Sequence, residues 1–393
     1  MSEAFLYLAG VCLLLALHPF VTYPLSLYGL RLLRRPPAAP APLAEPVAAP
    51  SFAICMCAYN EEAVIAAKIA NLLALREQEP GLEILVHVDA ATDRTAEILS
   101  SYADRITLQV SAERRGKTAG MNSLVARATA SIIVFTDANV MLDAGALPAL
   151  RRHFADPGVG CVCGNLIYVN GEDSVTAATG SLYWRFEEAI KRLEGETGSV
   201  MGADGSLFAI RHHLHHAPPE HIIDDMYVSF RILCAGYRIV QATDVRAYEK
   251  SATSPGEEFR RKQRIACQAF NVHRLLWPRL RRLDGLSLYK YLSHKLLRWL
   301  CIYLLVLAFA SFELALVLAG QGVAAAVLAG LLGLALGIGY RFPLKPFAQI
   351  FDILAVLTAV GLGVWRSLRG ERFQTWTPAA SVRQPLPLEE VEQ

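Results

Sequence analysis

Two adjacent carboxylates, Asp224 and Asp225, open a helix with an apolar face in the run EHIIDDMYVSFRILCAGYRI. One aspartate at a helix start can serve as an N-cap, worth about 0.5–2 kcal/mol. Two exceed what one cap needs, and a spare carboxylate can take a proton from a hydroxyl. A second pair lies upstream, where SIIVFTDANV sets Asp137 and Asn139 one residue apart at the carboxyl end of an apolar run. Side chains at i and i+2 of an extended segment share a side, so the two are expected to present their oxygens together. Such a pair suits a hard divalent cation, Mg2+ or Mn2+, which takes oxygen ligands and bridges one or two protein groups to phosphates. The alternative is that Asp137 caps the turn that follows.

More polar residues stand at the ends of other apolar runs. SFAICMCAY stops at Ala58, Tyr59, Asn60 and Glu61, and LEILVHVDA stops at Asp89. Between the third and fourth runs lies RRGKTAGMN, with Arg115, Gly116, Lys117, Gly120 and Asn122. The glycines permit close backbone approach, and Lys117 is a point charge suited to a diphosphate. Neither G-x-G-x-x-G nor a P-loop occurs, so dinucleotide and P-loop readings lack their fingerprint. A helix over 257–277 places Arg260, Arg264 and Gln268 on one stripe. Arg264 is the expected diphosphate contact; the alternative is a basic amphipathic helix on anionic lipid. The cluster RHHLHHAPPEH reads as an exposed loop, because Pro218 and Pro219 end any helix there.

The elements that must position these residues alternate. SFAICMCAY, LEILVHVDA, RITLQV, SIIVFTDAN and GCVCGNLIYV read as strands; 61–76, 93–103, 117–129 and 143–155 read as helices. That alternation implies βαβ units and a mainly parallel sheet, whose ligands sit at the carboxyl ends of the strands. Apolar residues make up 53% of 393 and are unevenly spread. Residues 4–30 carry no charge and are followed by Arg31, Arg34 and Arg35, the pattern of an uncleaved anchor with a cytosolic domain after it. Three more apolar segments lie near 300–319, 323–339 and 347–365. Three full crossings would put Arg366, Arg369 and Arg372 outside, against the positive-inside rule; either one segment is re-entrant or interfacial, or the rule fails. A net charge of +2 gives no sign of nucleic acid, and eight cysteines without zinc or disulfide spacing read as reduced core residues.

This constellation resembles the membrane-embedded inverting glycosyltransferases of family 2, the GT-A family of cellulose, chitin and hyaluronan synthases. The resemblance covers nearly the whole chain. It implies an α/β fold: a Rossmann-like, mixed but mainly parallel sheet with one N-terminal and about three C-terminal transmembrane helices. The expected divisions are an anchor (1–35), a Pro/Ala-rich linker (36–50), a GT-A domain (51–280), an amphipathic interfacial segment (281–298), a bundle (299–366) and a tail (367–393). By resemblance Tyr59, Glu61 and Asp89 hold the nucleoside, and the Arg-Gly-Lys…Asn stretch matches at Arg115 to Asn122. The Asp-x-Asp metal motif matches Asp137 and Asn139 with an amide at the second position, so Asn139→Asp is expected to be tolerated. Gly202, Ala203, Asp204 and Gly205 resemble the acceptor-side loop. Asp225 stands where the family's Thr-Glu-Asp motif has its general base, with Asp224 in place of the glutamate. The Gln-x-x-Arg-Trp motif of processive synthases is not matched: Gln263 is followed directly by Arg264, and the first Trp comes at 277.

The expected activity is transfer of a sugar from a nucleotide-sugar donor, a UDP-sugar, to a growing polysaccharide at the cell membrane. One base and a cation-stabilised leaving group suffice for a single inverting step. The alternative is transfer of one sugar to a lipid-linked acceptor. A transporter would need paired repeats. A sugar nucleotidyltransferase would need a Gly-rich loop where this chain has Ala58-Tyr59-Asn60-Glu61.

Overall fold

The computed structural model describes residues 1–33, 50–170, 175–250, 254–342, 344–375 and 383. The Pro/Ala-rich linker, apart from Pro50, and most of the expected tail lie outside them. The chain starts with α1 (Ser2–Leu17) and α2 (Thr22–Leu33), which meet at a bend of 58°. The expected anchor is therefore bent at the turn that holds Pro19. At 16 residues α1 is about 24 Å long, short of the ~30 Å hydrocarbon core. Beyond the bend, α2 lays Tyr23 and Leu27 against Ile190.

Eight strands make one sheet: β1 (Phe52–Ala58), β2 (Glu83–Asp89), β3 (Thr107–Ser111), β4 (Ile132–Thr136), β5 (Met141–Leu142), β6 (Val159–Tyr168), β7 (Leu207–Arg211) and β8 (Arg238–Glu249). Their order is β3-β2-β1-β4-β7-β6-β8-β5. The first four strands in that order run parallel, β7 is antiparallel to both its neighbours, and β8 is parallel to β6. The carboxyl ends of β1, β2, β4 and β8 and the amino end of β7 thus share one edge.

β1 shows why this segment is a buried strand. Phe52, Ile54 and Met56 join one core and Ala53 and Cys55 the other, the period of 2 that a strand covered on both faces requires. α3 (Ile65–Gln78), α4 (Thr95–Ser100) and α6 (Ala146–His153) pack on the first face; α5 (Lys117–Val125), α8 (Asp224–Cys234) and α9 (Pro255–Leu280) pack on the second. All eight cysteines are free thiols.

Between β6 and β7 runs α7 (Val175–Glu196), which joins the sheet to the apolar helices. Its Glu187 and Glu194 both bond the buried His294, at 2.8 and 2.7 Å, and Tyr23 Oη donates to Glu194 at 2.5 Å. His294 sits in a π-helical turn, Leu292–Leu296, between α10 (Gly285–Tyr291) and α11 (Leu297–Leu318). α12 (Gly322–Arg341) and α13 (Phe347–Leu368) follow. By length and composition three C-terminal helices can cross a membrane.

The bundle begins and ends on α9. Trp299 of α11 packs on Phe270 and His273. At the other end Ser367 Oγ bonds Asn271 at 2.7 Å and Arg366 Nη1 donates to Gln263 at 3.1 Å. Arg366 therefore lies against α9. Both ends of the bundle thus meet the same helix.

Candidate active site

At the end of β1, Asn60 adopts φ +52°, a left-handed conformation that Asn tolerates. Its amide ties the loop to the one after β2, accepting from Thr92 N at 2.8 Å and donating to Thr92 Oγ1 at 3.1 Å. Glu61 is buried, and its Oε1 takes a bond from Arg383 at 2.5 Å. Its Oε2 has no hydrogen-bond partner among the described residues. Burial pushes the Glu61 carboxyl up to about 7, with Arg383 opposing. Ala58 is buried at the strand end, and the Arg114 guanidinium lies 3.5 Å over the Tyr59 ring.

Asp89 folds the neighbouring loop: its oxygens accept from Arg115 N at 2.7 Å and Gly116 N at 2.9 Å. Gly116 has φ +89°, so glycine is required there, and α5 starts at the next residue. This delivers Lys117 Nζ to Asp137 Oδ1 at 2.6 Å and to the Gly205 carbonyl at 3.4 Å. Burial works against the Lys117 charge, but Asp137, Asp224 and Asp225 outweigh it and hold its pKa above the ordinary lysine value. Arg115 pairs with Glu220, Gln374 donates to the Arg115 carbonyl, and Asn122 donates to the Pro218 carbonyl at 2.9 Å.

The Asp137–Asn139 stretch departs from its expected form. β4 stops at Thr136, and Val140 N bonds the Asp137 carbonyl at 3.3 Å, so the chain turns instead of staying extended. Buried Lys68 of α3 clamps this turn through Thr136 Oγ1 at 3.2 Å and the Val140 carbonyl. The i, i+2 rule then no longer applies. Asp137 faces the cleft with its side chain 33% exposed, whereas Asn139 is buried and donates from Nδ2 to Glu249 Oε1 at 2.9 Å. A divalent ion fits the half-open Asp137 carboxylate, which already attracts the Lys117 ammonium; the Asn139 amide is turned to β8.

Opposite Asp137 stand the loop before β7 and the start of α8. The residue capping α8 is Ile223 and no side chain caps it, so neither aspartate serves as the cap. Asp225 Oδ1 accepts from Met226 N, and the buried Asp224 Oδ2 has no partner among the described residues. Burial, then the Asp224 charge, push the Asp225 carboxyl up to about 7 against the pull of Lys117. A Cβ on Gly205 would lie 2.9 Å from Asp225 Oδ2 and 3.3 Å from Lys117 Nζ, so glycine keeps this space open. Gly202 has φ +92°, Ala203 N bonds Ser229 Oγ at 3.1 Å, and Asp204 pairs with Lys191 of α7.

From α9, Arg264 Nη1 bonds Gln268 at 2.9 Å and its charge faces Asp137 and Asp225; burial and Arg261 bring its pKa down to about 10. Arg260 is exposed, so the stripe divides. Trp277 lies tilted against His273, ring centroids 5.3 Å apart, and packs partly buried against the core. In the histidine cluster His215 is stacked near Phe135, and no metal-holding group of three or more His, Cys, Asp or Glu occurs among the described residues. Glu249, Arg261, Arg383 and Lys191 were not singled out in the sequence. A strand ending at Glu249 was the signal that could have found the first of them.

Residues 53–216 match the glycosyl transferase family 2 model. Poly-beta-1,6-N-acetyl-D-glucosamine synthase of Staphylococcus aureus is 26% identical over 194 residues, 47% of this chain and 46% of that protein. The chain thus spans about half the length of the curated relative it matches. Beta-monoglucosyldiacylglycerol synthase of Synechocystis is 30% identical over 152 residues, 36% of this chain and 32% of that protein. A mannosyltransferase from Pyrobaculum calidifontis, solved in complex with GDP-Man and Mn2+, shares the fold: TM-score 0.69 at 23% identity, over 93% of this chain and 99% of that one. Residues 53–216 hold Glu61, Asp89, Lys117, Asp137 and the Gly202–Gly205 loop, and they form a glycosyl transferase family 2 domain with the fold of the mannosyltransferase.

Proposed function

We propose that the protein is a membrane-bound inverting glycosyltransferase that moves a sugar from a UDP-sugar to a growing polysaccharide. The observation that carries this reading is the gap over Gly205, with Asp225 on one side and the Lys117–Asp137 pair on the other. An acceptor hydroxyl in the gap loses its proton to Asp225. Its oxygen bonds the anomeric carbon, and the bond to the diphosphate breaks with its electron pair leaving on the diphosphate oxygen. A base whose pKa lies near 7 suits this task at neutral pH. Lys117 and Arg264 offset the charge that grows on the leaving group. A bound Mg2+ or Mn2+, held by Asp137, would neutralise diphosphate charge.

Glu61, with an unpartnered buried oxygen, takes a polar group of the nucleoside. Asp89 acts through the loop it folds. The small Gly202–Gly205 loop lets an acceptor sugar lie close to backbone. The catalytic domain and the α13 end lie in the cytosol, where nucleotide sugars are made, with the apolar helices in the cell membrane. One observation favours the second reading, a lipid-linked acceptor: Trp277 packs against His273 and the core instead of offering a sugar platform at the cleft.

The test is to incubate the purified full chain with radiolabelled nucleotide sugars and to size the products. A polymer from one UDP-sugar supports the reading. A single-sugar lipid product moves it to the alternative, and transfer from no nucleotide sugar contradicts both.

A further inference from the structure

We propose that Glu249 supplies the second negative charge of the Asp137 site and that Asn139 is the positioning residue that aims it. This deepens the proposed function and rests on its donor reading. β8 runs parallel to β6, so Glu249 ends it on the edge where β4 ends at Thr136, one residue before Asp137. Pairing of Met141 with Tyr248 brings the two strand ends together, and Val169 N bonds the Glu249 carbonyl at 3.2 Å. Glu249 Oε1 accepts from Asn139 at 2.9 Å and Oε2 accepts from Ser206 Oγ at 3.4 Å. The side chain is buried, and Arg261, Asp137 and Arg383 all lie close enough to act on its charge.

An amide at position 139 then has a physical reason. An aspartate there would set a second carboxylate about 2.9 Å from Glu249 in a buried place, where like charges repel strongly. An amide instead donates a charge-assisted hydrogen bond. The negative charge that the resembling family keeps at the second position of its Asp-x-Asp motif is carried here by β8, and the expectation that Asn139→Asp is tolerated is reversed.

The experiment is a double-mutant cycle on the full chain with Asn139→Asp, Glu249→Gln and both together. Thermal midpoint is read without ligand, and UDP and GDP affinity are read with and without Mn2+. Glu249→Gln should weaken Mn2+-dependent nucleotide binding about tenfold or more and leave Mn2+-independent binding within about twofold. Asn139→Asp should lower both the thermal midpoint and the Mn2+-dependent affinity. The double variant, which exchanges the two charges, should recover both to within about threefold of native affinity and close to the native midpoint. An Asn139→Asp protein as stable and as tight as native overturns the proposal. So does a double variant no better than Asn139→Asp, or a Glu249→Gln protein with unchanged Mn2+ dependence. A native protein with no Mn2+-dependent affinity for either nucleotide overturns the donor reading and the charge role together. In that case a coupled midpoint cycle still identifies Asn139–Glu249 as a structural pair.

Discussion

Replacing Asp225 by asparagine isolates the proton acceptor from every other property of that side chain. The amide keeps the shape and still accepts the bond from Met226 N, and no cap is lost because Ile223 occupies the capping position. Loss of a positioned general base costs about 10²–10⁴ in rate, or roughly 3–5 kcal/mol at about 1.4 per decade. The pH dependence has a definite sign. Burial and Asp224 raise the Asp225 carboxyl from 3.8 to about 7, so native kcat/KM should fall with acidity below that point. The same shift means that ionising Asp225 weakens the fold: its stabilising contribution is complete below pH 3.8 and is lost as pH rises through about 7. Above pH 7, Asp225→Asn should therefore be as stable as native or more so, while turning over at least a hundredfold more slowly. UDP affinity should change by no more than a few-fold. Single-turnover transfer, UDP titration and thermal midpoints at pH 6 and 8 supply these readings. If Asp225→Asn turned over normally and Asp224→Asn were dead, the base would be Asp224. If both were active, the reasoning would fail and Asp204 would be the next base to test.

Gly205→Ala should reduce turnover more than tenfold without unfolding the protein, because its Cβ enters the gap 2.9 Å from Asp225 Oδ2; transfer rate and thermal midpoint read this. EDTA should abolish transfer and Mn2+ or Mg2+ should restore it, whereas Asp137→Ala should lose both metal-dependent UDP binding and turnover. A cysteine at 321 should react with an impermeant thiol reagent on intact cells and one at 369 should not, because Arg366 sits on α9; labelling at 369 would contradict the proposed cytosolic placement of the α13 end.

Much of the candidate site was legible because each parallel strand that is apolar on both faces announces its own polar end. Glu61, Asp89 and Asp137 are read that way, and Lys117 follows from the glycine that precedes it. What escaped depends on partners far along the chain. Asn139 was expected to share a side with Asp137, yet its orientation is decided by Glu249, 110 residues away, and by Lys68 clamping the turn. β8 mixes polar residues into its length, which hid the strand and with it Glu249. Arg383 reaches Glu61 across 322 residues, a contact no local pattern encodes. The bend in the N-terminal apolar run falls at the turn that holds Pro19, the local sign of it in the sequence. That Arg366 packs on α9 depends on the fold of α13, which charge counting does not register.

The central claim is a single displacement with Asp225 as base, and the anomeric configuration of the product tests it most directly. Proton NMR of the product formed from an α-linked nucleotide-sugar donor should show a β linkage in the first turnover. A retained α linkage would contradict the account, since retention needs a second displacement and a nucleophile that a single carboxylate base does not provide.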